Sequence, residues 1–291
     1  SLGYSGDELS QFCSTSKFAQ SNEYVKEYKI PTACTQPLAI TVDHNGIVWF
    51  AQTNTGKVAK FNPQTEKFTE YDNPVWEELE KSFIISAIEN NVTPMKLRSM
   101  MWGMDAFPDG SVWHTSRIPI QAEDDNVYFI GVLWKFSTDT KSYNLIPYSQ
   151  EGNYNSLPQK LSLVGSKIII NDFTGGKLSF LDYAQDKEGL MHYAIPAVFS
   201  DAFTSDFTID SDKNVWYTNW IPGGQGILVK FDYPGYEFQT TQGEVTQGLL
   251  LQDFVEWYNF PTGLNTPNGV AVGPDQKIWI ADTSSNNFFS F

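Results

Sequence analysis

The residues of this chain that are able to do chemistry fall at a few repeated places. Four segments run a tryptophan-centred apolar stretch into a polar end: IVWFAQTN from Ile47, SVWHTSR from Ser111, NVWYTNW from Asn214 and KIWIADT from Lys277. A fifth, IIIND from Ile168, has isoleucine in place of tryptophan. The polar ends offer Gln52, Asn54, His114, Arg117, Asn171, Asp172, Asn219, Trp220 and Asp282, and the segments leading into neighbouring strands add Gln36, Asp206 and Asn268. Amides, a guanidinium and an indole can hydrogen-bond and stack on a polar ligand, so Gln52, Asn54, Arg117, Asn171, Asn219, Trp220 and Asn268 form the expected binding set. Asp172, Asp206 and Asp282 supply hard oxygen donors of the kind that hold Mg²⁺ or Ca²⁺, and otherwise no cofactor is expected. His114 is the candidate general base. His44 falls in a turn and His192 in an outer strand. The competing reading is that polar residues at strand ends face water and cap strands.

Those segments are parts of one repeat. From Pro37 the chain divides into an apolar strand to Val42, the turn Asp43-His44-Asn45-Gly46, a second strand over Ile47–Ala51, a third over Lys57–Phe61, the turn Asn62-Pro63-Gln64-Thr65, and a fourth strand over Lys67–Tyr71. Asn-Gly and Asn-Pro form turns for backbone reasons, and the strands alternate with period two. The same order returns around Trp113, Ile169, Trp216 and Trp279, at spacings of roughly 47 to 64 residues. An all-β chain of four-stranded repeats predicts a β-propeller with five blades visible. It is either a five-bladed ring or part of a seven-bladed one. In a propeller the first strands line a channel and the loops after the second strands meet at one mouth. The last copy stops in its third strand, and NEYVKEYKIP (22–31) matches the fourth strands KFTEYDNP and FVEWYNFP. Residues 22–31 are therefore expected to close the last blade beside 287–291, leaving no open seam.

The domain reading is an N-terminal arm over 1–21 and a propeller over 22–291, with inserted segments at about 75–97 and 235–253. VWEELEKSFIISAIENN (75–91) spaces its apolar residues as a helix does, and lies on the propeller as an insertion or as a partner site. The segment 235–253 is expected to form a flap. Asn91-Val92-Thr93 is a formal glycosylation sequon weakened by Pro94. Met100, Met101 and Met104 suggest either a soft-metal site or, as expected here, core packing of a first strand.

Net charge of −15 repels phosphate, which argues against nucleic acid and anionic lipid as partners. Nothing approaches 18 consecutive apolar residues, so no transmembrane segment is expected. The two cysteines, Cys13 and Cys34, carry no metal-binding spacing. Either they are free thiols, or they form a disulfide that staples the arm to the first blade and places the protein outside the cytoplasm. The chain opens on Ser1, which is compatible with a removed leader.

IVWFAQTNTGKVAKFNPQTEKFTEY and KIWIADTSSNNFFSF resemble blades of the streptogramin B lyase (virginiamycin B lyase)-like propellers, and more distantly NHL-repeat and SMP-30/gluconolactonase-type propellers. The resemblance covers roughly residues 22–73 and 98–291. It implies a propeller and, for the lyases, a magnesium-dependent elimination using histidine and glutamate at one mouth. The blades of that family typically read W-F-T-E; this chain has Gln52, Ser116, Asn219 and Asp282 at the fourth position. The expected function is a non-catalytic, extracytoplasmic propeller that binds a protein or carbohydrate partner at the cell surface, or serves as a subunit of a cell-surface or membrane-associated assembly. The alternative is a metal-dependent lyase or lactonase acting at the mouth.

Overall fold

The computed structural model describes residues 21–89, 101–121, 127–147, 156–174, 176–183, 192–196, 198, 201–241, 251–260 and 263–291. Five antiparallel sheets follow one another along the chain, each built of consecutive strands. The first blade holds β1 (Pro37–Val42), β2 (Val48–Gln52), β3 (Lys57–Asn62) and β4 (Lys67–Tyr71). The second holds β5 (Met104–Ala106), β6 (Val112–Gln121), β7 (Val127–Ser137) and β8 (Ser142–Pro147). The third holds β9 (Pro158–Val164), β10 (Lys167–Asp172), β11 (Lys177–Asp182) and β12 (His192–Pro196). The fourth holds β13 (Phe203–Ile209), β14 (Val215–Trp220), β15 (Gly226–Phe231) and β16 (Val255–Tyr258). The fifth has three strands, β17 (Pro267–Val272), β18 (Ile278–Asp282) and β19 (Asn287–Ser290). This is the β-propeller that the repeat predicts.

The chain divides into two compact units, Ser1–Pro119 with Val132–Pro147, and Ile120–Gly131 with Tyr148–Phe291. The core of the second unit runs through Ile169, Phe180, Phe207, Tyr217, Val229 and Phe231, all buried. In the first, Met101, Met104, Trp113 and Trp134 are buried.

Two local devices explain why the repeat reads as it does. The turn between first and second strands needs one left-handed residue, filled by Gly46, Gly110, Gly165, Lys213 and Gln276 with φ of 75°, 80°, 54°, 68° and 61°. Glycine adopts that conformation freely; Lys213 and Gln276 adopt it at a cost. The register tryptophans are anchored at their indole N–H. Trp49 Nε1 donates to Asp43 Oδ2 at 2.9 Å and Trp216 Nε1 to Asp210 Oδ2 at 2.8 Å. Trp113 Nε1 donates to Ser111 Oγ at 2.8 Å, which in turn reaches Asp109. Lys60, Lys135 and Lys230 lie over the same rings at 5.6, 5.5 and 5.7 Å. Burial alone would raise the Asp43 and Asp210 carboxyls; the indole and backbone N–H donors reverse this and hold both below the usual carboxylate range.

Residues 22–31 are assigned no strand, and among the described residues the fifth sheet holds β17, β18 and β19. Tyr28 instead packs on Phe61 with ring centroids 4.5 Å apart, and Ile30 joins Phe50 and Phe61 on the first blade. The expected helix is present as α1 (Pro74–Glu89), opened by Asn73, whose Oδ1 accepts from Trp76 N at 3.1 Å, with Pro74 at the first helical position. The expected flap lies largely outside the described residues; its described ends hold a second helix, α2 (Tyr233–Thr241), and a short 3-10 turn at Leu251–Phe254. The sequon at Asn91 lies outside the described residues.

Candidate functional site

In the third, fourth and fifth blades the third residue after the register position is a structural cap. In the second unit Asp172 accepts from Leu157 N at 2.8 Å and from Ser156 Oγ at 2.6 Å. Asn219 Oδ1 accepts from Val198 N at 3.1 Å, and its Nδ2 donates to Thr204 Oγ1 at 2.9 Å. Asp282 accepts from Asn265 N at 2.6 Å and also from Thr266, Ser284 and Ser285 N. Each cap ties the segment that leads into the first strand of its blade to the end of the second strand. Burial pushes the Asp282 carboxyl up, but its backbone donors outweigh this and lower it.

The expected metal ligands therefore fail as a set. Asp172 and Asp282 have their oxygens committed to backbone and hydroxyl donors. Asp206 accepts from Lys160 Nζ at 2.9 Å, from Phe207 N at 2.8 Å and from Val270 N at 3.0 Å, which ties three consecutive blades together. A divalent ion needs free oxygen lone pairs that converge. Among the described residues no group of three histidine, cysteine, aspartate or glutamate side chains converges in that way.

His114 is sealed inside the second blade. It is fully buried, its ring stacks on Trp134 at 6.2 Å and 18°, and its Nε2 has no hydrogen-bond partner. Burial holds its pKa down at about 4, against a weaker opposing pull from the Thr115 carbonyl. A base must reach the proton it removes. An imidazole without solvent exposure does not do so, which corrects the expectation of a base at the mouth.

The candidate binding residues of the first unit are also interior. Gln52 Nε2 donates to Glu70 Oε1 at 2.6 Å while its Oε1 accepts from Thr55 Oγ1 at 2.9 Å. Asn54 Nδ2 donates to the Cys34 carbonyl at 2.8 Å, and its Oδ1 is buried without a partner. Arg117 is half-buried, and that burial lowers its pKa. Gln36 adopts a left-handed φ of 48° just before β1.

In the second unit three expected residues do come together, around one that the sequence did not single out. Ser205 Oγ donates to Asn268 Oδ1 at 3.1 Å and accepts from the Trp220 indole N–H. Asn171 Nδ2 donates to the Ser205 carbonyl at 2.9 Å and to the Thr204 carbonyl at 3.1 Å, leaving its Oδ1 buried and unpartnered. Asn268 is exposed, and its Nδ2 donates to Thr283 Oγ1 at 2.9 Å. Register shifts between Thr204 and Phe207 and between Pro267 and Gly269 break the alternation there. Such bulges re-aim side chains, and here they fall at Ser205, Asp206 and Asn268. An aromatic wall stands beside the amides. Phe173 and Phe203 stack at 4.6 Å and 10°, and Phe203 lies 4.8 Å from Trp220. Both phenylalanines are half-buried.

Comparisons place this fold among known ones. Residues 264–289 match the NHL repeat family. No curated protein sequence matches the chain. Catalytically inactive virginiamycin B lyase from Staphylococcus aureus, solved with quinupristin, is similar over 88% of this chain and 69% of its own, at 15% identity and a TM-score of 0.55. The extracellular domain of a one-component system from B. thetaiotaomicron is similar over 91% of this chain and 28% of its own, at 11% identity and a TM-score of 0.55. The chain is thus a β-propeller by fold, and its last blade matches the NHL repeat. At these identities the likeness concerns the fold.

Proposed function

We propose that this chain is a non-catalytic binding propeller that works outside the cytoplasm and takes a carbohydrate at the cluster formed by Asn171, Ser205, Trp220 and Asn268 with Phe173 and Phe203. The observation that carries this reading is the pairing of a half-buried aromatic wall with bulge-presented amide and hydroxyl groups. Sugars present hydroxyls at their edges and C–H groups on their faces. Amides bond the former and aromatic rings pack on the latter. An extracellular domain of the same fold supports the location. The lyase or lactonase alternative draws no support from the described residues, because His114 is sealed and the three aspartates are capped or ion-paired.

A glycan array followed by calorimetric titration of the best saccharide tests the reading. Phe203→Ala and Asn268→Ala should each weaken binding roughly 10-fold, the size of a contact worth about 1.4 kcal/mol. No binding to any saccharide, or binding untouched by both changes, refutes it. In the same preparation, alkylation of Cys13 and Cys34 only after reduction supports the location. Cys13 lies outside the described residues, so that bond is part of the proposal.

A further inference from the structure

Two strands of the second blade bring unlike donors to one place. Met104 on β5 pairs directly with His114 on β6. Residues directly opposite in an antiparallel pair share a face of the sheet, with Cβ atoms about 4.5–5.5 Å apart. Both side chains are buried, Met104 at 8% exposure and His114 at none. Met101, three residues before Met104, is fully buried too. The chain between the two methionines stays against β6: Thr115 N donates to the Gly103 carbonyl at 2.9 Å, and Gly103 N donates to Thr115 Oγ1 at 3.0 Å.

The imidazole is oriented as a ligand is. Its Nδ1 faces the Thr115 carbonyl at 3.5 Å and carries the ring proton, since burial keeps the ring neutral. The lone pair of Nε2 is left buried and without a partner. A histidine that ligates a metal through one nitrogen gives its other N–H to a carbonyl in this way. Core packing accounts for the methionines, which fill gaps well, but it leaves that buried acceptor unexplained.

The chemistry of the set selects the ion. Thioethers and an imidazole are soft to borderline donors and carry no charge. Mg²⁺ and Ca²⁺ require oxygen ligands, which this set does not offer. Neutral ligands leave the whole ionic charge in the interior, so a single charge costs less to bury than two. The Trp134 face stacked on the imidazole adds an electron-rich wall.

We propose that the second blade binds one soft monovalent ion of the Cu(I) kind through His114 Nε2 and the sulfurs of Met104 and Met101. The ion fastens β5 to β6 from inside the blade. This site is independent of the carbohydrate site.

Silver(I) nitrate is the probe, because it shares that charge and softness and needs no reductant. The full chain, with any free thiols alkylated, is titrated calorimetrically in chloride-free buffer, and the bonds to silver are read by X-ray absorption. One ion per chain is expected, on one nitrogen and two sulfurs, with a melting temperature that rises with added silver. Met101→Leu and Met104→Leu nearly conserve volume, so both should fold. Each should weaken binding by more than about 10-fold, as should His114→Gln, because loss of a ligand exceeds the loss of an outer partner. Mg²⁺ in place of silver should give no binding heat. Failure of the unsubstituted chain to bind silver overturns the proposal. So does full affinity in any of the three variants, or a silver shell that lacks either nitrogen or sulfur.

Discussion

At the scale of single residues, the polar groups divide between those that hold the blades and those that face a ligand. His114 belongs to the first kind and gives a pH signature. Its folded pKa of about 4 lies below the unfolded value of about 6.5, so at intermediate pH the unfolded chain binds the extra proton. The stability tied to the neutral imidazole is complete above the unfolded value and is lost as pH falls toward the folded one. For this fully buried ring the loss between pH 7 and pH 5 is about 2 kcal/mol. Urea unfolding of wild type and His114→Gln at both pH values checks it. The variant should show about 2 kcal/mol less dependence on pH over that window than wild type. Equal dependence in both would remove His114 as the cause. Sequence alone could not reveal this, because SVWHTSR puts the imidazole at a strand end. Only the fold shows Trp134 lying over it.

At the scale of elements, strands and turns were legible because their signals are local. Asn45-Gly46, Asp109-Gly110 and the period-two runs act through the backbone of the residues that carry them. Helix α1 was legible for the same reason. What it packs on was not. Trp76 in its first turn is buried and meets Trp134 edge-on at 6.5 Å. Gly56, in the loop between β2 and β3, lies directly under the Trp76 ring with φ of 68°, and a β-carbon there would overlap the indole. Asn73 fastens the same place, donating from Nδ2 to the Gly56 carbonyl at 3.2 Å. Gly56→Ala should therefore destabilise by about 3 kcal/mol, combining left-handed strain with overpacking. Thermal unfolding of Gly56→Ala against Gly46→Ala separates the two causes. Gly46 has a similar φ of 75° with nothing within 4 Å, so its variant should cost only the backbone part. Equal losses would mean that Trp76 yields without penalty.

At the scale of the whole molecule, the binding set was half legible. Asn171, Trp220 and Asn268 were visible as polar strand ends, but Ser205, Phe173 and Phe203 were not, because a bulge and a ring stack are properties of pairing. The pattern EYKIP has the residues of an outer strand, yet 22–31 is assigned none, because a pattern does not say which sheet supplies its neighbours.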